Sequence, residues 1–175
     1  MDDLAQAAGV VRRTVYAHFP TRDALLDGLA DKCSDDLLAA VRGTDRSALE
    51  PEVALADFAL TLWAVGAEYR LLISLAETDL GAAGLREMLA PIRAQARELM
   101  VRGRESGRFG THLEPDVLTS ALQAMTLSLV QSVNEGTWAD EGSGIAIAVL
   151  IAAGVPAPAA EKAVTEAIRM NLAHD

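Results

Sequence analysis

The sequence has one cysteine among 175 residues, so Cys33 can form no internal disulfide and has no second thiol for a zinc cage. A reducing compartment suits such a chain. Long apolar runs are also missing. The longest worth testing, Ile145 to Val155, is closed by Pro156 and falls well short of the ~20 residues that a membrane-crossing helix needs. The opening Met1-Asp2-Asp3 brings no basic leader and no apolar secretory segment, and the expectation is a cytoplasmic protein. Strand-like alternation is scarce, as are catalytic constellations. No nucleophile stands near a base and no glycine loop is spaced to cradle a phosphate. The adjacent acids Asp35-Asp36 and Asp140-Glu141 would point ~100° apart on a helix and read as solvated surface. His18, His112 and His174 are too scattered to form a metal site with Cys33. We therefore expect no enzyme, no metal and no cofactor.

What is present is a chain that is 51% apolar and 23% charged, enough hydrophobic surface to offset the entropy of ordering one domain-sized body. The formal net charge of −10 opposes contact with phosphates, but it is unevenly spread. Residues 1–46 carry only −2 of it, and Gly9 to Arg22 holds three arginines and a histidine with no acid. A cationic patch on an acidic body orients a molecule on a polyanion.

Apolar residues recur at three and four spacing, with Gly or Pro between the runs, which predicts an all-α chain. Asp2 to Ala8 reads as a short helix ending at Gly9, and Val11 to Phe19 as a second, ended by Pro20. Thr21 caps a third that runs to about Val41, with Leu25, Leu29 and Leu37 on one side. Further helices are expected at Glu52 to about Val65, Glu68 to Leu80, Leu85 to Glu105 with a kink or break at Pro91, and Pro115 to about Asn134. A final pair covers Gly142 to Ala153 and Ala159 to Ala173. The expected division is an N-terminal segment, 1–42, followed by a helical bundle, 43–175.

Two short helices joined by a glycine turn, followed by a capped third, form a helix-turn-helix pattern whose second element fits a major groove. With Val15 and Phe19 turned inward beside Leu4 and Ala8, the outer side carries Arg12, Arg13, Tyr16 and Ala17. Arginine reads guanine O6 and N7 as a fork, while tyrosine and histidine suit phosphate oxygens. Arg22 begins the next helix, whose N-terminus also attracts phosphate. The plainer reading of the same residues is a solvated basic face.

The stretch Ala8-Gly9-Val10-Val11-Arg12-Arg13-Thr14-Val15-Tyr16-Ala17-His18-Phe19-Pro20-Thr21-Arg22-Asp23-Ala24-Leu25-Leu26 resembles the DNA-binding segment of TetR-type repressors. Their pattern is a glycine turn, Thr-x-Tyr-x-His-Phe, then a capped basic helix start. The resemblance implies that Arg12 and Arg13 face bases, that Thr14, Tyr16 and His18 hold phosphates, and that Arg22 replaces a phosphate-binding lysine. Val11 stands where the family commonly has a serine cap, a change worth ~1 kcal/mol. The family's further first helix has no counterpart before Met1, so the DNA-binding segment reads as incomplete at its N-terminus. A Gly-x-Phe…Pro-Asp segment from Gly107 to Asp116 also fits the family. Such proteins are homodimers that repress transcription from palindromic operators until a small molecule enters the C-terminal domain.

In that domain, Phe58, Trp63, Tyr69, Met88, Met100, Met125 and Trp138 are candidates to line an apolar effector pocket, with simple core as the alternative. On the Pro115 helix, Leu118, Leu122, Met125 and Leu129 form one stripe, while Val117, Ala121, Ala124 and Ser128 form a second of smaller residues. The second suits close approach by a partner helix in a self-complementary dimer, unless both stripes lie in one monomer's core. The function expected is a ligand-responsive, dimeric DNA-binding repressor. The alternative is a helical dimer that binds a small apolar ligand without gripping DNA.

Overall fold

The computed structural model describes residues 9, 11–79 and 81–173. Within them the chain forms eight helices: α1 (Arg12–His18), α2 (Arg22–Arg42), α3 (Pro51–Asp79), α4 (Gly81–Met88), α5 (Ala90–Glu105), α6 (Pro115–Asn134), α7 (Ser143–Ala152) and α8 (Ala157–Asn171). No strand occurs among the described residues, so the all-helical expectation holds. The expected helix over Asp2 to Ala8 lies outside the described residues.

The organising element is α3. Seven consecutive residues, Val53 to Ala59, are buried, which covers nearly two turns and leaves no solvent face. Helices α2, α4, α5, α6, α7 and α8 all pack on it. The core divides into two clusters. One gathers Leu55, Trp63, Met100, Leu122, Ile145 and Leu150 with residues of α8; the other gathers Cys33, Leu37, Phe58, Ile73, Leu89 and Ile92.

Two helix boundaries differ from the sequence expectation. A single helix spans Pro51–Asp79 in place of separate helices over 52–65 and 68–80. Gly66, which lies between the two expected segments, is buried with open space where a Cβ would stand. Its intrinsic cost of ~1 kcal/mol is outweighed by packing on both sides. In the stretch 85–105 the kink or break expected at Pro91 is a break, and the first of the two helices begins earlier than expected, at Gly81. Gly81 turns left-handed at φ +66° and starts α4, Leu89 interrupts at φ −91° and ψ 3°, and Pro91 sits in the first turn of α5, where its missing N–H costs nothing. The inward face of α2 is also shifted. Ala30, Cys33, Leu37 and Val41 are buried, whereas Leu29 is exposed.

Close contacts fix the turn between α5 and α6. A Cβ on Gly103 would stand 2.1 Å from Cδ2 of the buried Phe109 ring, so only glycine lets that ring lie against α5. Gly107, at φ +70°, makes the reversal possible. At the start of α7 the Asp140 carboxylate accepts from the backbone N–H groups of Gly144 at 2.9 Å and Ile145 at 3.0 Å. Asp140 is thus a capping residue, a correction to its reading as solvated surface. No helix among the described residues is long and apolar enough to cross a membrane.

Candidate nucleic-acid interface and effector cavity

Helix α1 is seven residues long and owes its position to two side chains. Val15 is buried, and the half-buried Phe19 ring lies against Gly28 of α2, where an added Cβ would be 3.0 Å from Cε1. The turn at Gly9 has φ +66°. Val11 precedes α1 in extended conformation and contributes no side-chain cap, as its apolar side chain dictates. Thr21 does cap α2, its Oγ1 accepting from the N–H of Ala24 at 3.1 Å, with Asp23 in the first turn.

This seating leaves Arg12, Arg13, Thr14, Tyr16, Ala17 and His18 exposed on α1, with Arg22 exposed at the start of α2. The Arg12 guanidinium lies over the Tyr16 ring, 5.2 Å from its centroid, with Nη2 3.5 Å from the hydroxyl. Arginines one turn before an aromatic hydroxyl thus share one solvent-facing surface with the basic start of α2. Chemically this surface offers donors, forks and positive charge to a polyanion.

The second feature is a cavity of about 140 Å³ at the seam between the two core clusters. Leu37 of α2, Phe58 and Trp63 of α3, Met100 of α5, Leu122 of α6 and Ile145 of α7 are among the residues that line it. Three of the seven residues proposed from sequence, Phe58, Trp63 and Met100, therefore meet at one void. The other four do not line it. Tyr69 donates its hydroxyl to the Asp36 carboxylate, which also pairs with Lys32 at 2.7 Å, so this ring ties α3 to α2. Met88 packs in the second cluster. Trp138 stands edge-on behind Trp63, with ring centroids 5.7 Å apart, and Met125 packs half-buried on the first cluster.

Sequence reasoning missed the polar part of the wall: Arg70, Arg93, Thr119, Gln123 and Thr126. A signal exists. Leu89, Arg93, Ala96 and Met100 recur at four and three spacing and all line the cavity, and Ala59, Trp63, Gly66, Arg70 and Ile73 do the same on α3. A single arginine inside an otherwise apolar stripe marks each.

On α6 the stripe of larger residues faces in, with Leu118 and Leu122 buried, while Val117, Ala121, Ala124 and Ser128 are exposed. The alternative that both stripes fill one monomer's core is excluded. Cys33 is fully buried, and burial, aided by Asp36, pushes its thiol up to about 11, which keeps it protonated and inert. No cluster of metal-ligating side chains occurs among the described residues.

Comparison with known proteins gives two kinds of likeness. A family described as bacterial regulatory proteins, tetR family, matches residues 1–29. The crystal structure of RolR without ligand is similar over 92% of this chain and 83% of that one, with a TM-score of 0.66 at 20% identity. RolR in complex with resorcinol is similar over 93% and 81%, with a TM-score of 0.65 at 21% identity. At such identities the likeness shows the fold. No curated protein sequence matches the chain.

Proposed function

We propose that the chain is a TetR-family regulator and that it works as a ligand-responsive transcriptional repressor, a homodimer on a palindromic operator. The observation that carries this reading is the exposure of Arg12, Arg13, Tyr16 and His18 on a helix seated by Val15 and Phe19. In the proposed complex α1 enters the major groove. Arg12 and Arg13 address guanine edges, Ala17 permits close approach and can meet a thymine methyl, and Thr14, Tyr16, His18 and Arg22 hold phosphates. Arg12 must leave the Tyr16 ring to reach a base, and this frees the Tyr16 hydroxyl for the backbone. The exposed stripe of Val117, Ala121, Ala124 and Ser128 supplies the twofold contact that places two such helices one turn of DNA apart, ~34–36 Å.

The effector reading rests on where the cavity lies. Helix α2 begins at the groove-facing surface and, 15 residues on, contributes Leu37 to the cavity wall, ~22 Å away along one continuous helix. A small apolar molecule in the cavity therefore acts directly on the helix that carries Arg22 and on which α1 is seated. RolR, with a similar fold, has been crystallised with resorcinol, a single-ring compound of a size suited to such a void.

The test is a gel shift of the chain's own promoter DNA at 50 mM salt, repeated as the salt is raised. Retarded complexes whose affinity falls steeply with salt are expected. If the folded protein shifts no promoter fragment, the repressor reading is wrong and a ligand-binding dimer without DNA binding takes its place.

A further inference from the structure

The wall of the cavity has a one-sided polar chemistry that defines its occupant more narrowly, given the reading of this void as the effector site. Two arginines, Arg70 and Arg93, line it, and no acid, lysine or histidine does. Most other polar groups there are already engaged. Thr119 donates to the Pro115 carbonyl at 2.7 Å, Thr126 to the Leu122 carbonyl at 2.9 Å, and Trp63 Nε1 to the Asp140 carbonyl at 3.0 Å. The donors that remain unspent lie on Arg93, Arg70 and Gln123. Arg93 spends Nη1 on the carbonyl of Arg86 at 3.1 Å and on Gln123 Oε1 at 3.2 Å, and Arg70 spends Nε on the Ala67 carbonyl at 3.2 Å. Arg93 Nε and Nη2, both terminal nitrogens of Arg70 and the Gln123 amide nitrogen have no protein partner among the described residues, and neither arginine is ion-paired.

The apolar and cationic parts are also separated in depth. Leu55, Met100 and Ile145 are fully buried, whereas Arg70, Arg93 and Gln123 are half-buried. A volume of about 140 Å³ is close to that of an engineered apolar cavity, about 150 Å³, that takes up benzene. We propose that the effector is a carboxylic acid with one aromatic ring, or an aliphatic body of that size. Its ring fills the apolar floor and its carboxylate is received by Arg93, held in place by Gln123, with Arg70 as the second cation. A ligand that supplies only acceptors matches the unspent donors of Arg93, Arg70 and Gln123, and the planar guanidinium matches a carboxylate in two parallel bonds.

The experiment is calorimetric titration and thermal shift of the full chain at pH 7 with benzoate, benzyl alcohol and benzamide. Variants Arg93→Met and Arg70→Met, which keep the apolar stems, are measured alongside. Benzoate is expected to bind at least ten-fold more tightly than the two neutral compounds. Arg93→Met should abolish that preference, and benzyl alcohol binding measured on the same variant shows whether its cavity is retained. Equal binding of benzoate and benzyl alcohol would overturn the carboxylate assignment while leaving the effector site in place. Preferred benzoate binding that survives both arginine changes would overturn the assignment to these residues. Absence of any shift with all three probes would refute both this proposal and the reading of the cavity as an effector site.

Discussion

Replacing Asp57 by alanine tests how the segment between α2 and α3 is held. Arg46 and Asp57 form an ion pair with Nε to Oδ2 at 2.7 Å, and their side chains are only 7% and 4% exposed. Burial pulls the Arg46 guanidinium below its ordinary value, while Asp57 opposes that shift. The same guanidinium donates to the Val41 carbonyl and, at 3.1 Å, to Thr61 Oγ1, and it lies 5.8 Å from the centroid of Phe58. Arg102 in turn donates to the Arg46 carbonyl at 2.8 Å. Removing the carboxylate leaves a desolvated charge without its counter-ion, which costs ~3–5 kcal/mol, against a total stability of ~5–15 kcal/mol. At ~2–4 °C per kcal/mol for a chain of this size, Tm should fall by about 6–20 °C. Urea unfolding followed by far-UV circular dichroism, with an unchanged slope, measures the loss directly. The double change Arg46→Met with Asp57→Leu should recover most of it, because the pair then vanishes without an orphan charge. A loss below 1 kcal/mol for Asp57→Ala, or a double variant as unstable as the two single losses added together, would refute the reasoning.

Three further outcomes are expected. Tyr16→Ala or Arg22→Ala should weaken binding to every DNA sequence and lower the salt slope by ~1, while Arg12→Ala or Arg13→Ala should relax base preference at one position by ~1–3 kcal/mol; competition gel shifts distinguish the two classes, and a uniform loss from Arg12→Ala and Arg13→Ala alike would contradict the base-facing assignment. Gly103→Ala places a Cβ 2.1 Å from Phe109 Cδ2 and should cost about 1–3 kcal/mol by overpacking, so an unaltered urea midpoint would show that the ring moves freely. Lys32 and then Tyr69 hold the Asp36 carboxyl below its ordinary 3.8, Ser47 does the same for Asp45, and Arg104 holds Glu114 below 4.5. Since the unfolded chain takes up these protons first, their contribution is present above about pH 5 and is lost as pH falls through 4 toward 3. A Tm that rises on acidification over that range would contradict this sign.

The N-terminal part of the site was legible because its signals are local. Gly9, Pro20 and Thr21 act on their own backbone, so the turn, the stop and the cap can be read without knowing what packs on them. The Pro115 helix was legible for the same reason, but spacing alone left open whether its second stripe faces outward, which the packing of the other helices decides. The long helix α3 was not. At Gly66 a local breaker signal competes with packing from other helices, and the winner depends on partners distant in sequence. The cavity was only half legible, because a void belongs to the space between helices. Choosing aromatic and sulfur-bearing residues found Phe58, Trp63 and Met100, but residue type cannot say that Tyr69 turns to Asp36 or that Leu37 reaches the wall from α2.

The position of the void also sets how much control an occupant can exert. The deep part of the void is lined by apolar side chains, so moving an apolar body of about 140 Å³ into it from water is favourable. Allosteric couplings typically amount to ~1–3 kcal/mol, a range that burying one ring-sized apolar body, worth ~1.5–3 kcal/mol, can reach. Only the difference between two arrangements counts, however, and a wall shared equally by both would give no response. The wall here is not shared equally: Leu37 belongs to the helix that begins at the exposed basic surface, and Phe58 lies under the Arg46 guanidinium that fastens the far end of that helix. An occupant that favours a different position of Leu37 must move α2 or strain the Arg46 anchorage. Weakening that anchorage through Asp57 should therefore reduce the effect of a ligand on DNA affinity by more than it reduces ligand binding itself.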